Sequence, residues 1–304
     1  MVPRHILGTA RPVRPNGLLS MFDDINLTLS FPLDFAHKYL YNARDNIKRA
    51  ISAHKKELIM NDYRGGGLAR GTDIDVGLRS FMLGTYKYMI AAMGVSALAG
   101  WAMSLVLFNN GAPTDLYKLM YGSVLRWAVW LAPMIFVMVM GARYHKLSVN
   151  GARFTLFGYS ALIGVWLSAL GAYFVSTNPV LGAKILLLSA SMFGAFSLFG
   201  YVTRKSLQGV GQMAGMLLFG VIIAMVINVA VFKSTGFDMV VSGIGLLLVA
   251  AMTAWQTQSL KQMFYATAGH AEEAEKASVF GALSLYTSFI NIFLFLMRFM
   301  SGGD

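Results

Sequence analysis

Polar side chains that could do chemistry interrupt the most apolar stretches of this sequence at two places. Gln256 and Gln258 follow directly after the uncharged run Met239–Trp255. Further along, three polar residues share one face of a helix at spacings of four and three: Ser284, Ser288 and Asn291. Amides and hydroxyls donate and accept hydrogen bonds without titrating near neutral pH. Both places therefore suit hydrogen bonding between helices or the lining of a cavity, and periodicity does not separate the two.

The elements that must position these residues are long apolar segments. The chain has 304 residues, of which 56% are hydrophobic and only 13% charged, whereas soluble domains usually carry about 25% charged residues. A helical membrane span needs roughly 20 apolar residues. Seven segments qualify: Tyr88–Phe108, Trp127–Ala142, Phe154–Phe174, Ile185–Val202, Val210–Phe232, Met239–Trp255 and Ala277–Met297. The sequence predicts an all-α integral membrane protein with a seven-helix bundle over residues 88–300.

The excess of basic residues predicts the orientation of this bundle. The net charge of +11 arises in loops and tails rather than in a patch for nucleic acid. From residue 60 onward, eleven Lys and Arg fall on the side of the N-terminal flank and five on the opposite side. Cytoplasmic loops carry the excess of Lys and Arg. We expect a cytoplasmic N-terminal segment over residues 60–87 in a bacterial inner membrane, with a mitochondrial inner membrane as the alternative.

Residues 1–59 differ from the rest of the chain because they are polar and basic, with nine Lys or Arg and five acids. Ala36–Leu58 could form an amphipathic surface helix, and Arg4, Arg11 and Arg14 resemble part of an organelle address. The alternative is that native translation starts at Met60 and this basic extension is not native.

Charged chemistry is scarce within the predicted spans. None of the nine acids after residue 60 lies inside a span, and Asp238 stands at the edge of the sixth. Arginines at span ends, among them Arg126, Arg143 and Arg298, would ordinarily reach to the interface. Glu272, Glu273 and Glu275 are expected in the loop before the seventh span, where they either attract cations or are simply solvated. The chain has no cysteine, which excludes disulfides and thiolate metal sites.

Several stretches, in this order, resemble the Bax inhibitor-1 family of YccA-like membrane proteins. They are GARYHKLSVNGARFTLFGYSALIG at 141–164, VTRKSLQGVGQMAGMLLFGVIIAMVINV at 202–229, TAWQTQSLKQMF at 253–264 and LSLYTSFINIFLFLMRF at 283–299. The resemblance covers about residues 75–300. It implies a seven-helix fold whose last helix is central. It also implies a link to pH-sensitive calcium leak, to modulation of a membrane protease, or to suppression of cell death.

The resemblance also identifies what is altered in this chain. Leak-type members carry a hydrogen-bonded aspartate pair at the cytoplasmic ends of spans six and seven, in the patterns T-A-x-D-T-Q and L-Y-L-D-F-I-N. Those aspartates fall on Gln256 and Ser288 here. Two close carboxylates titrate as a coupled pair and make a pH switch, whereas an amide and a hydroxyl do not. Arg143 matches a basic residue that pairs with the span-six aspartate, and Arg298 matches a terminal arginine of the last helix.

Three functions follow from these observations. The first is a calcium-leak relative with lost or altered gating, in which Gln256, Ser288, Arg143, Asn291 and Arg298 are the pore or gating candidates. The second is a regulator that transports nothing and acts on a membrane partner such as a protease. The third is an intramembrane zinc hydrolase, which needs His and Asp clustered near one membrane face. The five histidines all lie outside the spans, so we expect no enzyme, no metal site and no cofactor, with the lipid bilayer and calcium as partners.

Overall fold

Long helices form almost all of the chain that the computed structural model describes, which comprises residues 67–109, 112–126, 128–129, 132–133, 135–136, 139, 147–267 and 269–301. The helices are α1 (Gly67–Leu107), α2 (Asp115–Gly122), α3 (Val149–Thr177), α4 (Pro179–Val202), α5 (Gln208–Ile227), α6 (Thr235–Ala266) and α7 (Ala271–Ser301). A two-residue strand pair, β1 (Phe108–Asn109) and β2 (Ala112–Pro113), is an antiparallel hairpin between α1 and α2. A π-helical turn, Asn228–Phe232, extends α5.

Six of these helices are long and apolar enough to cross a membrane: α1, α3, α4, α5, α6 and α7. Helices suit this environment because each satisfies its backbone hydrogen bonds internally. The prediction of a helical membrane protein is confirmed at this level. The predicted second span, Trp127–Ala142, lies mostly outside the described residues, although those described between 125 and 139 are helical. Residues 1–59 lie wholly outside the described part.

Polar residues at the helix starts explain where these elements begin. Ser148 accepts a hydrogen bond from the Gly151 amide at 3.2 Å and caps α3. Asn178 caps α4 through the Leu181 amide at 3.0 Å. Ser234 caps α6 in the same way. Each side chain satisfies an amide that has no partner within its helix.

Contacts between helices fix their relative directions. Arg153 of α3 bonds to Tyr88 of α1, and Ser160 accepts from Ser96 further along both helices, so α1 and α3 are parallel. Pairs from opposite ends of α6 and α7 show that those two are antiparallel. Because α1 and α3 are parallel, the end of α1 and the start of α3 lie at opposite ends of the bundle.

The most deeply buried of the six apolar helices is α7. Within its most apolar stretch 78% lies inside the protein, compared with 56% for α3 and α6 and 11% for α1. Consequently the polar residues within this apolar stretch of α7 lie mostly inside the protein.

Candidate functional site

Gln256 of α6 and Ser288 of α7 meet in the interior of the bundle. The Ser288 hydroxyl donates to the Gln256 Oε1 at 2.6 Å. Ser288 is fully buried and Gln256 is only 2% exposed. Ser288 lies about midway along α7, and Gln256 lies ten residues before the end of α6. The apolar run that defined the predicted span ends at Trp255, whereas α6 continues to Ala266, so Gln256 lies within the helix and not at its end.

Near this hydrogen bond are buried polar groups that have no hydrogen-bond partner among the described residues. The Gln256 Nε2 is buried and has no hydrogen-bond partner among the described residues, and the same holds for the Ser284 hydroxyl on the next turn of α7. Asn291 is fully buried one turn beyond Ser288. The predicted polar face of α7 thus points into the protein. At this level the described residues supply amides and hydroxyls but no carboxylate.

A chain of hydroxyls fixes α6 beside this pair. The Thr257 hydroxyl donates to the Thr253 carbonyl at 2.9 Å, so Ser197 must donate to Thr257 across their 3.0 Å contact. Tyr86 must then donate to Ser197 at 2.6 Å, because a hydroxyl has a single proton. Helices α1, α4 and α6 are joined by this directed chain, which holds the neighbouring Gln256 in place.

A second set of hydrogen-bonded hydroxyls, those of Ser96 and Tyr286, positions α7. Ser96 donates to the Ser160 carbonyl at 2.6 Å, and its oxygen lies 2.6 Å from the Tyr286 hydroxyl. Tyr286 is therefore the donor to Ser96. These bonds join α1, α3 and α7, and they hold the face of α7 that carries Ser288 toward α6.

Gln258, the second amide after the apolar run, holds the loop between α4 and α5. Its Oε1 accepts from the Leu207 amide at 2.7 Å and its Nε2 donates to the Lys205 carbonyl at 2.8 Å. Lys261 donates to the Tyr201 carbonyl at 2.8 Å nearby. The two glutamines that looked alike in the sequence have separate tasks. Gln256 links α6 to α7, and Gln258 orders a loop.

Arg298 forms a buried ion pair with Asp238 where α7 ends and α6 begins. Its Nε donates to both Asp238 oxygens, at 2.9 and 2.8 Å, and Nη2 lies 2.6 Å from Oδ1. The Arg298 side chain is completely buried and that of Asp238 is 12% exposed. The expectation that Arg298 reaches to the interface is wrong. Each charge also lies at the helix end whose dipole favours it.

Glu275 belongs to α7 rather than to a loop, which corrects the expectation for the three acids before the seventh span. It forms an ion pair with Arg153 of α3 and accepts from the Tyr88 hydroxyl of α1 at 3.0 Å. Both charged side chains are 40% exposed. This cluster joins three helices at the opposite end of the bundle from Asp238.

Four of the five predicted site residues can be located. Gln256 and Ser288 are in contact, Asn291 is buried close by, and Arg298 is at the far end of α7. Arg143 and His145 lie outside the described residues. Sequence reasoning missed Asp238 as a partner. The available signal was that this acid opens span six while Arg298 closes span seven, and adjacent antiparallel helices bring those ends together.

A protein-family model described as inhibitor of apoptosis-promoting Bax1 matches residues 78–304. The chain belongs to this Bax inhibitor family. The match covers every residue of the two α6–α7 links. The resemblance inferred from the sequence motifs is therefore confirmed.

Several bacterial proteins are similar to this chain over most of their length. Inner membrane protein YbhL of Escherichia coli is 33% identical over 223 residues, which cover 73% of this chain and 91% of YbhL. An uncharacterized protein of Rickettsia prowazekii is 32% identical over 76% of this chain and 93% of its own length. One from Deinococcus radiodurans is 34% identical over 75% and 92%.

Proposed function

We propose that this chain is a seven-span inner-membrane protein of the calcium-leak type whose gating by pH is lost. The observation that carries the proposal is the buried hydrogen bond from Ser288 to Gln256. A carboxylate pair at this position would repel itself when both groups ionise, so a change of pH would open or close it. An amide and a hydroxyl keep the same bond over the physiological range. Calcium permeation, where it occurs, is then independent of pH.

The directions of the helices support the seven-span architecture. In a bundle whose consecutive spans alternate, α1 and α3 can be parallel only when one span lies between them. The predicted segment Trp127–Ala142 has the position and the apolar character for that span. The burial of α7 supports its placement at the centre, with the other spans around it.

The electrostatics of the described interior favour weak calcium permeation. Calcium prefers six to eight oxygen ligands, carboxylates among them. Among the described residues Asp238 is the one buried carboxylate, and Arg298 occupies both of its oxygens. No residue in this proposal has an enzymatic role.

The presence of Gln256 and Ser288 in place of an aspartate pair also favours a second candidate function, a regulator that transports nothing. In this alternative the bundle is a rigid scaffold that presents its loops to a membrane partner such as a protease. The loop held by Gln258 is suited to that purpose because its backbone is fixed by three hydrogen bonds from one side chain.

Calcium flux into proteoliposomes tests the proposal, measured between about pH 6 and 8 for the wild type and for Gln256→Asp/Ser288→Asp. We expect the wild-type flux to be low and flat with pH, and the double variant to acquire pH dependence because its two carboxylates titrate together. A steep pH dependence in the wild type would overturn the proposal. Absence of calcium flux with both proteins would favour the regulator that transports nothing.

Two further variants serve as controls in this experiment. Ser284→Asp places a single carboxylate one turn away on α7, so a pH response specific to the paired site should be absent from it. His145→Ala removes a histidine, the side-chain type whose ordinary pKa of about 6.5 falls within the tested range. A pH response of the double variant that survives His145→Ala belongs to the introduced pair.

A further inference from the structure

Two polar sites lie at different depths along the contact between α6 and α7. The inner site is Gln256 with Ser288, and the outer site is Asp238 with Arg298. Ten residues of α7 separate Ser288 from Arg298, which corresponds to about 15 Å along the helix. The Ser242 hydroxyl, one turn after Asp238, is buried and has no hydrogen-bond partner among the described residues.

Between these sites the contact is apolar. Phe295 is fully buried, and its ring lies against Gly245 of α6 so closely that a methyl group at Gly245 would overlap it. Val249 and Ile292 are also fully buried. Gly245 is therefore required for the ring to occupy this position. Polar groups resume on either side, at Ser242 and at Asn291.

We propose that the Phe295 ring, seated on Gly245, is the barrier to permeation between the inner and outer polar sites. An ion leaving the inner site would have to shed its water at this level, since the side chains of Phe295, Val249 and Ile292 offer no polar atom in exchange. Hydrophobic constrictions close pores in this way, by excluding water. The ion pair at the outer site then faces the aqueous side of the barrier, and the Gln256–Ser288 bond lies behind it.

This inference deepens the proposed permeation function, but it is tested through access rather than through flux. The chain has no native cysteine, so single cysteines report cleanly. Ser288→Cys and Ser242→Cys are made with Phe295 present and with Phe295→Ala. A membrane-impermeant maleimide is added from the side on which Asp238 lies, and labelling rates are measured.

We expect Ser288→Cys to react at least tenfold faster when Phe295 is replaced by Ala. Ser242→Cys should react at the same rate in both backgrounds, because it lies on the near side of the barrier. An unchanged rate at Ser288→Cys would overturn the proposal. So would failure of Ser242→Cys to react at all, since the Asp238–Arg298 pair itself would then be the barrier.

Phe293 supplies the matched control because it is a partly buried phenylalanine two positions away, on another face of α7. Phe293→Ala should leave the Ser288→Cys rate unchanged, and an equal acceleration would contradict the assignment. Phe295→Leu keeps an apolar side chain and serves if Phe295→Ala fails to fold; we expect a smaller acceleration. Calcium flux measured on the same proteins separates the two proposals. If the wild type conducts no calcium but Phe295→Ala still accelerates labelling of Ser288→Cys, only the calcium-leak proposal is overturned.

Discussion

At the scale of single residues, α6 and α7 are joined by two links of opposite character. The Gln256–Ser288 bond is neutral, and interhelical hydrogen bonds of this kind are worth about 0.6–2 kcal/mol. The Asp238–Arg298 pair is charged and buried. Burying such a pair has a large desolvation cost, so its net contribution is small, yet removal of one partner leaves an uncompensated charge. The two links should therefore respond differently to substitution.

Arg298→Met should lower the free energy of unfolding by about 3–5 kcal/mol, because Asp238 is left buried without its partner. The double variant Asp238→Leu/Arg298→Met should recover most of this loss, since no charge is then buried. Unfolding in detergent, followed by circular dichroism, measures both. Lys118→Met, which removes an exposed ion pair with Asp115, should leave the unfolding midpoint unchanged. Equal losses in the single and double variants would contradict this interpretation.

At the scale of elements, α6 organises the loop that follows α4. Gln258 satisfies the Leu207 amide and the carbonyls of Thr203 and Lys205, while Lys261 bonds to the Tyr201 carbonyl. The side chains of Arg204 and Lys205 remain exposed. The loop therefore presents two cationic side chains on a backbone that is hydrogen-bonded to α6. The order of the loop depends chiefly on the buried amide of Gln258.

Gln258→Leu should release this loop, because an apolar side chain of similar size cannot satisfy the three backbone groups. We expect trypsin to cleave after Arg204 or Lys205 several-fold faster than in the wild type. Limited proteolysis with mass spectrometry of the fragments measures the rate. Gln212→Leu in α5 is the matched control and should not change it. Equal cleavage in all three proteins would show that Gln258 does not order the loop.

The sequence predicts the elements better than their contacts. Apolar runs located four of the six spanning helices closely. The other two differ because polar turns extend the helix: α1 begins well before its apolar run, and α6 ends well after its own. The pairing of Gln256 with Ser288 was accessible through the family motifs. Asp238 with Arg298 was not recognised, although the two residues lie at the adjoining ends of consecutive antiparallel helices. Glu275 with Arg153 was not recognised because it depends on the register between α7 and α3, which are far apart in the chain. Glu275 looked like a loop residue because α7 begins at Ala271, before the apolar run that starts at Ala277.

At the scale of the whole molecule, helix directions and loop charges together determine how the bundle sits in the membrane. With α1 and α7 parallel, the starts of both helices lie on one side of the bundle with the Arg153–Glu275 pair and the Gln258 loop. This is the side on which the excess of Lys and Arg falls. The positive-inside rule predicts that this side is cytoplasmic. This orientation predicts that the Asp238–Arg298 pair lies on the periplasmic side, from which the maleimide would be added in the cysteine experiment.

Single-cysteine labelling tests this orientation directly. Lys205→Cys, in the loop after α4, should react with an impermeant maleimide in inside-out inner-membrane vesicles and not in spheroplasts. Lys118→Cys, in α2, should show the reverse, because the proposed second span would separate the α2 region from the start of α3. Both side chains are exposed, so lack of reaction would not reflect burial. Labelling of both positions from the same side would show that no span lies between α2 and α3, and would therefore contradict the seven-span architecture. Reversal of both sides would keep seven spans and place the Asp238–Arg298 pair in the cytoplasm.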